Sequence, residues 1–215
     1  MKKKKLMMVI MALMLIITAK STYAMQSRPD GTSKTNAYAN YFFTEIRKME
    51  STVLGLPTNF DTTTWLDSSG NGVDVHMAKN TEWGTAAMLS ASAYGTAPSG
   101  QSSATTTGNA TGVYQMANGT FEYVAGIWDA SNSYMSNIRG ANSRYYDLYT
   151  SQTSISGDAT TETAGWKGAS NSGFIYGNYP VFVRSVSALF GYSYGNGNGN
   201  SNYSSRSVLV VGAGL

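Results

Sequence analysis

Apolar positions along this chain change their period several times. Residues 6–18 are almost unbroken apolar. Over residues 36–54, Tyr38, Phe42, Ile46, Met49 and Val53 recur every three or four positions. That spacing predicts an amphipathic helix, capped by Ser33 or Thr35 and stopped at Leu56-Pro57. A second helix is predicted from Asn80-Thr81, with Trp83, Ala86, Ala87, Ser90 and Tyr94 on one face. Gly95 is expected to end it in a left-handed conformation. From Thr111 the pattern becomes strand-like. Residues 112–116 and 121–128 flank Asn118-Gly119, a hairpin signal. Three more short strands are predicted near 179–185, 188–194 and 205–211. The rest reads as loop: 58–75 with the turn cluster at 68–72, then 96–109, then 129–178. Tyr145, Tyr146, Tyr149, Trp166, Phe174 and Tyr176 anchor the last of these, and Trp83, Trp128 and Trp166 are expected in the core. Two helices followed by late antiparallel strands on long loops predict one α+β domain.

The N-terminus carries a different signal. Lys2, Lys3, Lys4 and Lys5 precede the apolar run, and Thr22-Tyr-Ala24 places small residues before a cut. Residues 1–24 therefore read as a secretory signal peptide, with an uncleaved signal anchor as the alternative. Residues 25–35 form a polar lead-in, expected to be disordered, before a domain over 36–215. Five of the fifteen cations leave with the signal, so ten face twelve carboxylates. No basic stripe remains for phosphates, and nucleic acid is not an expected partner. The chain has no cysteine, so its core must hold it without disulfides. A secreted or cell-surface location is expected.

Between Ser185 and Arg206 nearly every residue is Ser, Gly, Asn or Tyr, and no carboxylate occurs. Tyrosine supplies rigid contact area, while Ser, Gly and Asn supply adaptable hydrogen bonding. The segment reads as a contact surface. Ser185, Ser187, Leu189, Tyr192, Tyr194, Asn196, Asn198, Asn200, Asn202 and Tyr203 are its candidate ligand-binding residues. Tyr192, Tyr194 and Tyr203 are the expected anchors. The Gly-Asn repeats at 195–200 read either as a flexible hairpin tip or as part of that surface.

Several segments resemble formylglycine-generating-enzyme-like (sulfatase-modifying factor) domains. Residues 78–95, with Trp83, resemble their second helix. Residues 107–116, ending Gly-Val-Tyr-Gln-Met, and the following Phe121-Glu-Tyr-Val124 resemble their most recognisable motif. Val183-Arg184 and Ser205-Arg206 resemble the terminal arginine-bearing strands. Residues 145–149 and 157–166 resemble uncharacterised bacterial members. Gln115 stands where the family usually has Asp, and Ser185-Val186 where it has Gly-Gly. The resemblance implies a C-type-lectin-like fold. It also implies kinship with variable proteins of diversity-generating retroelements, whose adenine-directed mutagenesis leaves Asn, Ser, Gly and Tyr codons. Residues 185–205 would be the variable segment.

The chemistry open to the chain is narrow. The family's oxidase activity needs copper-binding cysteines, and this chain has none, so no such enzyme is expected. His76 is the only histidine and no Gly-x-Ser-x-Gly occurs. It reads as a structural hydrogen bonder. The resemblance implies that Glu122 is a framework residue bonding neighbouring backbone. Arg184 and Arg206 read as buried ion-pair partners. Asp158 and Glu162 sit in a Gly/Thr-rich loop where a structural calcium would fit, and no other cofactor is expected. The function expected is non-catalytic binding of a macromolecular ligand, protein or glycan, at the C-terminal face. The alternatives are a carboxylate- or metal-dependent hydrolase and a structural adhesion domain.

Overall fold

A computed structural model of the chain describes residues 38–39, 42, 71–96, 106–107, 112–114, 116, 120–131, 133–141, 143–166, 171, 173–185, 188–199 and 202–213. The expected signal peptide and lead-in lie outside the described residues, as do Asn118-Gly119. Of the first helix, Tyr38, Ala39 and Phe42 are described. They are helical and buried.

The described elements run β1 (Asn71–Met77), α1 (Asn80–Ser90), β2 (Phe121–Trp128), α2 (Ser133–Arg139), a 3-10 turn (Ser143–Tyr145), β3 (Asp147–Tyr149), β4 (Val181–Arg184), β5 (Tyr192–Gly195), β6 (Tyr203–Ser205) and β7 (Ser207–Ala213). The domain is α+β. Among the described residues, no helix is long and apolar enough to cross a membrane.

α1 forms where Trp83, Ala86, Ala87 and Ser90 fall at helical spacing and are all buried. The Glu82 carboxylate accepts the Lys79 N–H at 2.9 Å, which satisfies one free donor of its first turn. The helix ends at Ser90 with Ala91 right-handed, so the left-handed stop expected at Gly95 is not used.

β2 is the hub of a five-stranded sheet. β4 runs antiparallel on one side, with β5 beyond it. On the other side β6 pairs with its first half and β3 with its second, both parallel. Two extra residues of β2 bulge out between Tyr123 and Ile127 relative to β4. There the Ala125 N–H donates to Ala78 O at 2.8 Å, and the Ala78 N–H donates to Arg206 O at 2.8 Å. Ala78 thus ties the antiparallel β1–β7 ribbon to the sheet.

Residues of a strand face opposite sides alternately, and the core divides accordingly. Tyr123, Ala125, Ile127, Val181 and Val183 join Tyr38, Phe42, Met135 and Ile138 on one face. Val124 and Phe182 join Trp83, Ala87, Tyr149, Leu189 and Phe190 on the other.

Some expectations are corrected. Residues 71–77 form a strand, not a loop, because β7 supplies a full pairing partner. Val113 and Tyr114 are not in a strand. Residues 129–178 hold α2 and β3. Trp166 is 51% exposed, resting edge-on against Phe190, and is no core anchor.

Candidate functional site

The C-terminal strands are held by two buried arginines. Arg206 meets Glu122 through two bonds, Nε to Oε2 at 2.5 Å and Nη2 to Oε1 at 2.6 Å. The Trp83 indole N–H donates to the same carboxylate at 3.0 Å. Glu122 therefore bonds side chains rather than the neighbouring backbone, and Arg206 is the ion-pair partner expected. Arg184 is solved differently. Its Nε donates to Asn80 Oδ1 at 2.6 Å, and its Nη atoms donate to the carbonyls of Ala159 and Asp158. It makes no salt bridge with a carboxylate among the described residues. Burial pushes its pKa down to about 10, partly opposed by the charge of Asp158. Trp83, Phe182 and Tyr192 rings lie 5.2–5.6 Å from its guanidinium carbon.

The candidate contact residues divide sharply on this frame. Ser187 and Asn200 lie outside the described residues. Leu189 is fully buried beside Trp83 and Phe182, which corrects its placement on the surface. Burying a leucine side chain contributes about 2 kcal/mol, so a lone leucine in a polar segment turns inward. Ser185 is also buried, at the end of β4. Its φ is 62°, the left-handed region, and its Oγ has no hydrogen-bond partner among the described residues. This is the position where the resembled motif carries glycine.

Asn196 and Asn202 are exposed, and Asn198 is half-buried. The 195–199 loop is not a free tip. Tyr134 Oη donates to Asn196 O at 2.9 Å and Tyr123 Oη to Asn198 O at 3.3 Å. The Tyr38 N–H donates to Gly197 O at 3.0 Å, where Gly197 adopts a φ of 82°.

The three anchor tyrosines are half-buried and do not share one surface. Directly paired residues point to the same sheet face. Tyr194 pairs with Phe182, and Tyr192 with Arg184, which itself pairs with Glu122. Tyr203 pairs with Phe121, one residue out of step with Glu122. Tyr192 and Tyr194 thus pack on one face of the sheet. Tyr203 packs on the other, stacked on Tyr123 with ring centroids 4.6 Å apart. The single continuous patch expected across all three is replaced by two.

The structure adds two residues to the first patch. Tyr176 and Tyr179 flank a Gly177-Asn178 turn closed by two backbone bonds, Tyr179 N–H to Tyr176 O at 2.8 Å and the reverse at 3.1 Å. Their rings lie 5.4 and 4.8 Å from Tyr194. The Tyr-Gly-Asn-Tyr sequence was a readable signal, since a Gly-Asn pair between aromatic residues marks a two-residue hairpin.

Carboxylates are committed elsewhere. Asp158 accepts from Tyr149 Oη, the Ile155 N–H, and the N–H and Oγ1 of Thr160. Glu162 accepts the Gly157 N–H at 2.7 Å. Glu82 accepts from His76 Nε2 at 3.0 Å, and its pKa lies below the ordinary value despite burial, lowered by His76 and Lys79. Asp147 accepts from the Thr81 N–H at 2.8 Å, and burial raises its pKa. Among the described residues, no group of three or more His, Asp or Glu side chains could hold a metal ion.

No family model, curated protein or solved structure matches this chain.

Proposed function

We propose that this chain is an exported, non-catalytic binding protein. It presents residues 185–205 on a C-type-lectin-like scaffold of the formylglycine-generating-enzyme-like type. We take that segment as the variable part of a diversity-generating-retroelement target.

One observation carries the reading: five framework tyrosines and the three anchor tyrosines use their hydroxyls differently. Tyr38, Tyr123, Tyr134, Tyr146 and Tyr149 donate their hydroxyls to the fold. Tyr192, Tyr194 and Tyr203 make no hydroxyl hydrogen bond among the described residues, although each ring is packed in place. A fixed ring with an unspent donor is a preorganised contact group, because little side-chain entropy is lost on binding. The carboxylates give further support, since most of those described serve as structural acceptors. The left-handed Ser185 is consistent with the glycine of the resembled motif.

The test is capture by an array of glycans and secreted proteins. The chain from Met25 onward should bind at least one component. Tyr192, Tyr194 and Tyr203 replaced together by Ala should lose that binding with an unchanged far-ultraviolet circular dichroism spectrum. Retained binding would reject the assignment.

A further inference from the structure

We infer that Tyr176, Tyr179 and Tyr194 form a platform for a neutral oligosaccharide. The inference rests on the binding function proposed above and names the ligand class for one of its two patches.

The three rings form a closed set. Their centroids are 4.8–5.4 Å apart, with interplanar angles of 46–76°. Such tilted contacts fix rings against one another, so the platform exists before ligand arrives. Its support is equally defined. Gly173, at a φ of 130°, backs the Tyr194 ring so closely that a Cβ there would lie 2.9 Å from it. Tyr194 lies opposite Phe182 across the β4–β5 pair, and Phe182 and Phe174 pack against the buried Tyr149. The outer face is open: Tyr179 is 38% exposed, and Gly177 and Asn178 are exposed in the turn.

Charge decides the ligand class. Residues 171–183 contain no cation and no carboxylate, and neither do 185–205. Arg184, between them, is fully buried and satisfied by Asn80 and two carbonyls. Neither segment therefore offers a pairing group to a phosphate, a sulfated chain or a charged peptide. The patch offers ring faces, three tyrosyl hydroxyls without partners among the described residues, and the exposed Asn178. A pyranose has matching chemistry. Its axial C–H groups carry slight positive charge and suit the negative face of a tyrosine ring. Its hydroxyls are neutral and exchange hydrogen bonds with phenol and carboxamide groups.

Titration calorimetry of the chain from Met25 onward tests this with chitohexaose, cellohexaose and mannohexaose, and with a heparin hexasaccharide as the charged probe. At least one neutral hexasaccharide should bind, and the heparin fragment should not. Tyr179→Ala and Tyr176→Ala should each weaken binding tenfold or more, while Tyr94→Ala, at an 80% exposed tyrosine in another loop, should not. Tyr179→Phe keeps the ring and should weaken binding about fivefold, the worth of one hydrogen bond. It covers the case in which Tyr179→Ala does not fold. Absence of binding to all three neutral probes, preference for heparin, or affinity unmoved by both Tyr179 variants would overturn the inference. Array capture of a protein, lost in Tyr203→Ala, without any oligosaccharide binding would overturn the ligand class alone and leave the broader function standing.

Discussion

Glu122 and Arg206, 84 residues apart in sequence, meet as a two-bond ion pair with both side chains out of solvent. The pair joins the hub strand β2 to the link between β6 and β7. Removing one partner strands the other charge. Arg206→Met should cost about 3–5 kcal/mol, measured by urea unfolding. Glu122→Gln should cost less, because the amide oxygen still accepts from Trp83. Combining the two substitutions should fall short of additivity by more than about 0.5 kcal/mol, since each acts on the same contact.

Ser185 is strained where glycine would not be. Left-handed backbone costs a non-glycine residue about 1–2 kcal/mol, and the buried hydroxyl is unpaired among the described residues. Glycine there loses some of this gain to greater freedom in the unfolded chain. Ser185→Gly should still raise stability by about 1 kcal/mol, seen as a higher thermal midpoint. An equal fall would show that the hydroxyl has a partner when folded.

Much of the framework was readable. Phe121–Trp128 is a nearly continuous apolar run and forms one strand over that full length. Asn80–Ser90 shows its buried face at helical spacing. β1 was hidden because Gly70-Asn71-Gly72 signals a turn, and its partner lies at the far end of the chain. α2 was hidden because seven residues with Met135 and Ile138 as their fully buried anchors give too short a periodic signal. The division of the contact tyrosines could not be read at all. It depends on register: Tyr203 opposite Phe121 faces away from Tyr194 opposite Phe182. One-residue slippage in either pairing would have united them.

Hydroxyl removal should separate the two sets of tyrosines. Tyr149 Oη accepts from Asn80 and donates to Asp158, at 2.7 and 2.8 Å. Burial raises its pKa well above the ordinary value, so it stays neutral at every working pH. Tyr149→Phe leaves the Asn80 amide N–H without this acceptor and Asp158 with one donor fewer, and should cost about 1–3 kcal/mol in urea unfolding. Tyr203→Phe should leave stability within about 0.5 kcal/mol. Equal losses would erase the distinction.

Acid should loosen the β1–α1 junction through Glu82. Its folded pKa lies below 4.5, so the folded state resists its protonation more than the unfolded chain does. Its contribution is complete above that ordinary value and is lost as pH falls through the folded one. Asp147, with a raised folded pKa, acts in the opposite sense and gains stability as it protonates. Unfolding free energy followed from pH 6 to pH 3 should therefore fall less steeply in Glu82→Gln than in the parent. In Asp147→Asn it should fall more steeply.

The most direct measurement pairs affinity with stability in one variant. Tyr192, Tyr194 and Tyr203 are replaced together by Ala. Binding to the array ligand and the urea midpoint are then read on the same preparation. Loss of binding by at least tenfold with the folded state still intact is the predicted result. Undiminished binding by the folded variant would contradict the assignment of function to these side chains.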